Sequence, residues 1–99
     1  MYRVDVSKRA EIDLIEIGLE IESERGAQFA NDYLIRLIEQ IETLSEMPRR
    51  TRERTELAAG QHALILPPYM AFYRIEGDVV RVQRVLLGSR RITARMLRE

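Results

Sequence analysis

Phe72-Tyr73-Arg74-Ile75-Glu76-Gly77-Asp78-Val79-Val80-Arg81-Val82-Gln83-Arg84-Val85-Leu86-Leu87-Gly88 is the stretch that decides how this chain folds. Two runs rich in β-branched and aromatic residues flank Glu76-Gly77-Asp78. Glycine takes the positive φ that a tight reversal needs and aspartate tolerates it, so the stretch spells a β-hairpin. Gly88 then releases the chain into a basic tail in which Arg90, Arg91, Arg95 and Arg98 accompany an apolar stripe of Ile92, Met96 and Leu97. That stripe either docks on another molecule or folds back on the domain's own sheet.

Working outward, Ala63 to Leu66 is a short apolar strand ahead of the hairpin. Pro67-Pro68 cannot donate ladder hydrogen bonds and marks a bend or a sheet edge. From Arg49 to Gln61 the pattern dissolves into an arginine-rich loop. Before it, Ala30, Leu34, Leu37, Ile41 and Leu44 form a heptad-spaced line, with Phe29, Tyr33 and Ile38 beside it, predicting a helix over about residues 27–46 that Pro48 stops. A coiled coil is the competing reading of that line, but the run is short for one. Ala10, Leu14, Ile17 and Ile21, broadened by Ile15 and Leu19, predict an earlier helix capped by Ser7 and ended near Glu24 by a left-handed Gly26. Tyr2, Val4 and Val6 alternate with Arg3 and Asp5 as in a half-buried strand. The order is β-α-α-β-β-β, an α+β fold: a small, mostly antiparallel sheet with an N-terminal helical hairpin on one face.

Ninety-nine residues suit one domain spanning 1–99. With no cysteine, disulfides and thiolate metal sites are unavailable; neither a cofactor nor a metal is expected. No apolar run approaches the roughly 18 residues that cross a bilayer, no leader is visible, and the cytoplasm is the expected location without a membrane partner. The zero net charge conceals a division: residues 1–47 carry 5 basic and 11 acidic side chains, residues 48–99 carry 11 basic and 5 acidic. Such halves either present a field of two signs to a partner or neutralise each other across the surface.

Arg49, Arg50, Arg52 and Arg54 crowd the loop, and arginine forks match phosphates and carboxylates. Arg84 shares strand parity with Val80, Val82 and Leu86. If those face the core, Arg84 either emerges in a groove or pairs with an acid such as Asp5 or Glu76, since an unpaired buried guanidinium is costly. His62, the sole histidine, has no Ser, Cys or Asp arrangement beside it and reads as incidental to chemistry. Tyr69 and Tyr73 read as core or groove wall.

The aromatic strand, acidic-glycine turn and Val-Arg-Val-x-Arg-Val-Leu-x-Gly strand resemble the closing hairpin of the RelE/ParE superfamily, the toxins of bacterial toxin-antitoxin modules. Tyr2 to Ser7, followed by Ala10, Asp13-Leu14 and Ile17, resembles that family's first strand and helix. Leu44 through Pro48 resembles the end of its second helix. The likeness spans nearly the whole chain and is weakest from Arg49 to Ala63.

RelE-like members cut messenger RNA on the ribosome, and the resemblance implies for them basic residues on the sheet, an arginine near the glycine and a late tyrosine or histidine. Here Arg90 fits, but Met70 stands in an arginine position, Gln61, His62 and Ala63 replace lysines, and Met96 replaces the late aromatic. One cation without partners supplies little stabilisation for a phosphorane. The longer helical hairpin and the Val-Leu-x-Gly strand resemble the ParE branch, whose members poison DNA gyrase without a catalytic set.

The resemblance therefore implies a non-enzymatic toxin that binds gyrase and is neutralised by a cognate antitoxin, meeting nucleic acid only through target or antitoxin. The alternative is a ribosome-dependent endoribonuclease. The expected target-binding residues are Arg49, Arg50, Arg52, Arg90, Arg91, Arg95, Met96 and Arg98. The expected antitoxin contacts, on an apolar groove beside the helices or on the sheet, are Leu14, Ile21, Leu34, Leu37, Ile41, Tyr73 and Arg84.

Overall fold

The reversal at Gly77-Asp78 joins two long strands, and the rest of the molecule assembles around them. The structure is a computed structural model that describes residues 1–98; Glu99, included in the expected domain span, lies outside the described residues. The elements run β1 (Arg3–Val6), α1 (Lys8–Arg25), α2 (Ala27–Glu42), β2 (His62–Leu66), β3 (Tyr69–Glu76) and β4 (Val79–Leu87), with 3₁₀ turns at Thr43–Ser45 and Ala94–Leu97. Sheet order is β1-β4-β3-β2, with β1 parallel to β4 and the other pairs antiparallel. Gly77 has φ 62° and Asp78 does not need a positive φ, the pattern of a tight hairpin with glycine at its first central position.

Local signals place the helices. The Ser7 hydroxyl accepts from the Ala10 N–H at 3.0 Å, satisfying one of the donors a helix start leaves open, an N-cap worth about 1 kcal/mol. Gly26 ends α1 and starts α2, as expected, but at φ 89° and ψ 163°, an extended mirror-image conformation rather than the left-handed helical one. Only glycine adopts it without strain. The chain thereby turns from one helix into the next through a single residue. α2 gives way earlier than residue 46, tightening at Thr43 into the 3₁₀ turn before Pro48.

Ala10 and Ile17 of α1 and Leu37 and Ile41 of α2, with Leu44 beyond it, meet Leu64, Tyr73, Val80, Val82 and Val85 in the main core. The heptad line is thus spent on the chain's own sheet, which answers the coiled-coil reading. Ile15 and Leu19 do not broaden that buried stripe: they are 61% and 60% exposed, and Phe29 and Ile38 also face outward. α2 packs close at Gly18, because a Cβ there would lie 2.6 Å from Leu34 Cδ1. A second, smaller cluster of Ala63, Phe72, Leu86 and Leu97 lies apart from the main core, joined by Leu57 from the loop and by Ile92 and Met96 from the tail.

The alternation along β4 breaks once. Phe72 pairs with Arg84 but Tyr73 pairs with Val82, leaving Gln83 as an extra residue, a β-bulge. Past it, parity inverts. Val80, Val82 and Val85 belong to the main core, while Leu86 belongs to the second cluster.

Candidate functional site

The bulge explains how Arg84 is held. Beyond Val82, β4 outruns β1, whose last pair is Val6 with Val82. The start of α1 fills the vacated edge: the Ser7 N–H donates to the Val82 carbonyl at 2.9 Å, the Ser7 hydroxyl to the Gln83 carbonyl at 2.9 Å, and the Val85 N–H to Asp13 Oδ2 at 3.0 Å. Asp13 also accepts two bonds from Arg84, Nε to Oδ2 at 2.7 Å and Nη2 to Oδ1 at 3.0 Å. The expected partners Asp5 and Glu76 are therefore wrong. Asp5 pairs with Arg81 at 2.6 Å instead; the inverted parity turns Arg84 off the main-core face, and Asp13 of α1 meets it at the edge where β4 outruns β1. The hydrogen bonds it donates to the Asp13 carboxylate hold the Arg84 guanidinium above its already high pKa against the opposing effect of burial.

Arg84 and Gln83 then hold the tail. Arg84 Nη1 donates to the Met96 carbonyl at 3.0 Å and Gln83 Nε2 to the Leu97 carbonyl at 3.1 Å, while Gln61 Nε2 reaches Gln83 Oε1 at 2.8 Å. Leu97 is 2% exposed, so the apolar stripe folds back on the domain's own sheet rather than waiting for a partner. What remains outward is charge. Arg90, Arg91, Arg95 and Arg98 are exposed, as are Arg49, Arg50 and Arg52 in the loop, whereas Met96 is half-buried in the second cluster.

Loop and tail meet at a groove of about 230 Å³ lined by Arg54, Glu56, Met70, Phe72, Arg90 and Ile92, which brings one arginine from each cluster together. Glu56 is held below the usual carboxylate range, chiefly by its hydrogen bond from Arg54, with Arg52 contributing. The carboxylate is exposed, so it tempers the groove's positive charge without locking it.

The expected antitoxin contacts divide. Leu14, Ile21 and Leu34 are half-buried against the main core, while Leu37, Ile41, Tyr73 and Arg84 are interior and present no outward surface in this conformation. A heptad line and a strand face look alike in sequence whether they meet a partner or the chain's own core.

His62 and Tyr73 are likewise inside. Tyr73 Oη donates to the Pro48 carbonyl at 2.7 Å and lies 2.7 Å from Thr51 Oγ1, which lies 3.0 Å from His62 Nδ1. Because Tyr73 has one proton and Pro48 takes it, Thr51 donates to Tyr73 and accepts from a His62 Nδ1–H. The imidazole stacks on the phenol ring at 5.3 Å. Burial pushes the Tyr73 phenol up from its ordinary value, so the protein favours the neutral form. Stability from this group is present below the ordinary phenol pKa of about 10 and is lost as pH rises through the raised folded value. Tyr73→Phe is expected to cost about 1–3 kcal/mol at neutral pH by orphaning the Pro48 carbonyl and to shallow the fall of melting temperature above pH ~10. An unchanged alkaline limb would refute this assignment.

Sequence reasoning placed Ser7 as a cap and Asp13 on α1 but missed their bonds to β4, and with them the linking roles of Gln61 and Gln83. The adjacent polar pair Gln83-Arg84, which shifts valine spacing from Val80-Val82 to Val82-Val85, carried the signal for the bulge.

Comparison with known proteins gives three likenesses. Residues 4–92 match the family described as ParE toxin of type II toxin-antitoxin system, parDE. Toxin ParE3 of Caulobacter vibrioides is 27% identical over 96 residues, 97% of this chain and 96% of that protein. A solved structure described as the chromosomal ParDE TA system from P. aeruginosa matches with a TM-score of 0.79 at 21% identity, covering 88% of this chain and 96% of that one, a likeness of fold.

Proposed function

The chain belongs to the ParE toxin family of type II toxin-antitoxin systems, and from that membership we propose that it arrests growth in the cytoplasm by binding DNA gyrase and is neutralised by a cognate antitoxin. The observation that carries the binding reading is the anchored tail. Its apolar side is spent on the domain's own sheet, and its exposed Arg90 lines one groove with Arg54 of the loop, joining the two arginine clusters at a cationic surface. Such a surface suits an enzyme working on a polyanion, where it can meet acidic protein surface or DNA already held there.

We read the protein as acting by binding rather than catalysis. Groove-lining Arg54 is engaged by Glu56, and His62 and Tyr73, the residues best suited to moving a proton, are hydrogen-bonded away from the groove. Transcript cleavage needs a group in reach of the 2′-hydroxyl as well as cations for the phosphorane.

Expression without a partner is expected to stop colony growth, and purified protein to inhibit gyrase supercoiling with accumulation of cleaved DNA. Antitoxin supplied in trans restores both. Normal supercoiling by gyrase in the presence of folded, antitoxin-free protein would eliminate the gyrase reading; ribosome-dependent cleavage of messenger RNA would replace it with the nuclease.

A further inference from the structure

The sheet face turned away from the helices carries a basic depression longer than either hollow in it. One hollow, of about 430 Å³, is bordered by Arg50, Arg52, Arg54, Ala63 and Ile65. The groove of about 230 Å³ is bordered by Arg54, Met70, Phe72, Arg90 and Ile92. The two share Arg54. Their floors are also neighbours, since Ala63 stands opposite Phe72 and Ile65 opposite Met70 on paired strands. Side chains directly opposite each other lie about 5 Å apart, so the two hollows form one track across β2 and β3.

Four guanidinium groups stand along this track, and its floor is apolar. Ile65 is 64% exposed, while Met70 and Ile92 are half-buried. Arg54, at the junction, is fixed by its backbone, whose N–H donates to the Gln61 carbonyl at 2.6 Å. Glu56 takes its Nε–H at 3.0 Å, one of the fork's five donors, so the fork keeps donors for a second anion. The occupant must therefore be anionic along its outside and apolar toward the floor. An acidic peptide laid over Ile65 and Met70 would press backbone N–H and C=O groups against carbon, where they find no partner. A nucleobase presents a π-face and keeps its polar groups at its edge, and a thioether packs well on such a face. In a duplex those faces are stacked on one another and withdrawn from the floor.

We propose that this track binds a single-stranded polynucleotide directly, with Arg50, Arg52, Arg54 and Arg90 on its phosphates and its bases against Ile65 and Met70. Phosphate and base face are common to DNA and RNA, so the sugar is not read. The strand is held without being cut, because Tyr73 belongs to the main core on the other face and His62 stacks on it there. The proposal adds a direct contact to the indirect ones expected from the sequence. It goes beyond the toxin reading and stands whether or not gyrase is the target.

The test uses the full chain with fluorescein-labelled oligothymidylate and oligouridylate of about twelve residues. Both are expected to bind saturably and within about fivefold of each other. The salt slope should be about −2 to −3, as roughly 0.7 per neutralised phosphate gives for three or four arginines. Arg90→Glu should weaken binding about tenfold or more, whereas Arg36→Glu, an equal charge change at an exposed position of α2, should alter it less than about twofold. Ile65→Ser, also at an exposed side chain, should weaken binding about threefold and leave the salt slope unchanged, the mark of a base contact and not of a charge. Thermal melts confirm that each variant is folded. Equal affinity for the matching duplex or for an oligoglutamate peptide of the same charge, equal weakening by Arg36→Glu and Arg90→Glu, or no saturable binding by the folded chain would each overturn the proposal.

Discussion

Asp13→Ala is expected to cost about 3–5 kcal/mol of folding stability, the largest loss from any single polar substitution in this protein. Both partners are nearly out of water, with side-chain exposures of 9% for Arg84 and 5% for Asp13. Removing the carboxylate strands a guanidinium whose remaining bond is to the Met96 carbonyl, and it orphans the Val85 N–H. The cost comes mainly from the abandoned charge, not from the worth of the pair. Asp13→Leu combined with Arg84→Met should therefore recover much of the loss. Urea denaturation of the single and double variants measures both, and a single-variant loss below about 1 kcal/mol would show that Arg84 is solvated or satisfied elsewhere. Since Arg84 also holds the tail, limited proteolysis after residue 90 should accelerate in Asp13→Ala.

Arg90→Glu together with Arg91→Glu is expected to abolish growth arrest, raising survival by at least about tenfold, while changing stability by no more than about 0.5 kcal/mol. Both residues are exposed, and the tail is pinned through Leu97, Gln83 and Arg84, so the fold does not rely on them. A cationic surface that steers toward an acidic or nucleic-acid-bearing target loses both attraction and docking when its sign is reversed. Survival counts after induction, paired with thermal melts, separate lost toxicity from lost folding. Full toxicity in a stable variant would move the target surface away from the tail.

The fold was largely legible because its deciding signals are local. Ser7 as a cap, Gly26 between two amphipathic runs, the reversal at Gly77 and the double proline at Pro67-Pro68 act within a few residues of themselves. The candidate surface was less legible. Its arginines announced themselves by clustering, but nothing in their spacing told which apolar neighbours remain free. Met96 and Tyr73 looked available in sequence and are taken up by the second cluster and the main core.

By itself, then, the amino-acid order determined the elements, their sequence, the two amphipathic helices and the separation of acidic from basic halves, since propensity, capping and periodicity are short-range. Tertiary structure alone decided that Arg84 meets Asp13 across 71 residues, that the tail lies on its own sheet, and that β2 keeps an open flank. For Arg84 and the tail the reason is the bulge at Gln83, since one inserted residue reverses which face each later side chain occupies; the flank of β2 is left by the strand order, in which β2 stands last among the described residues.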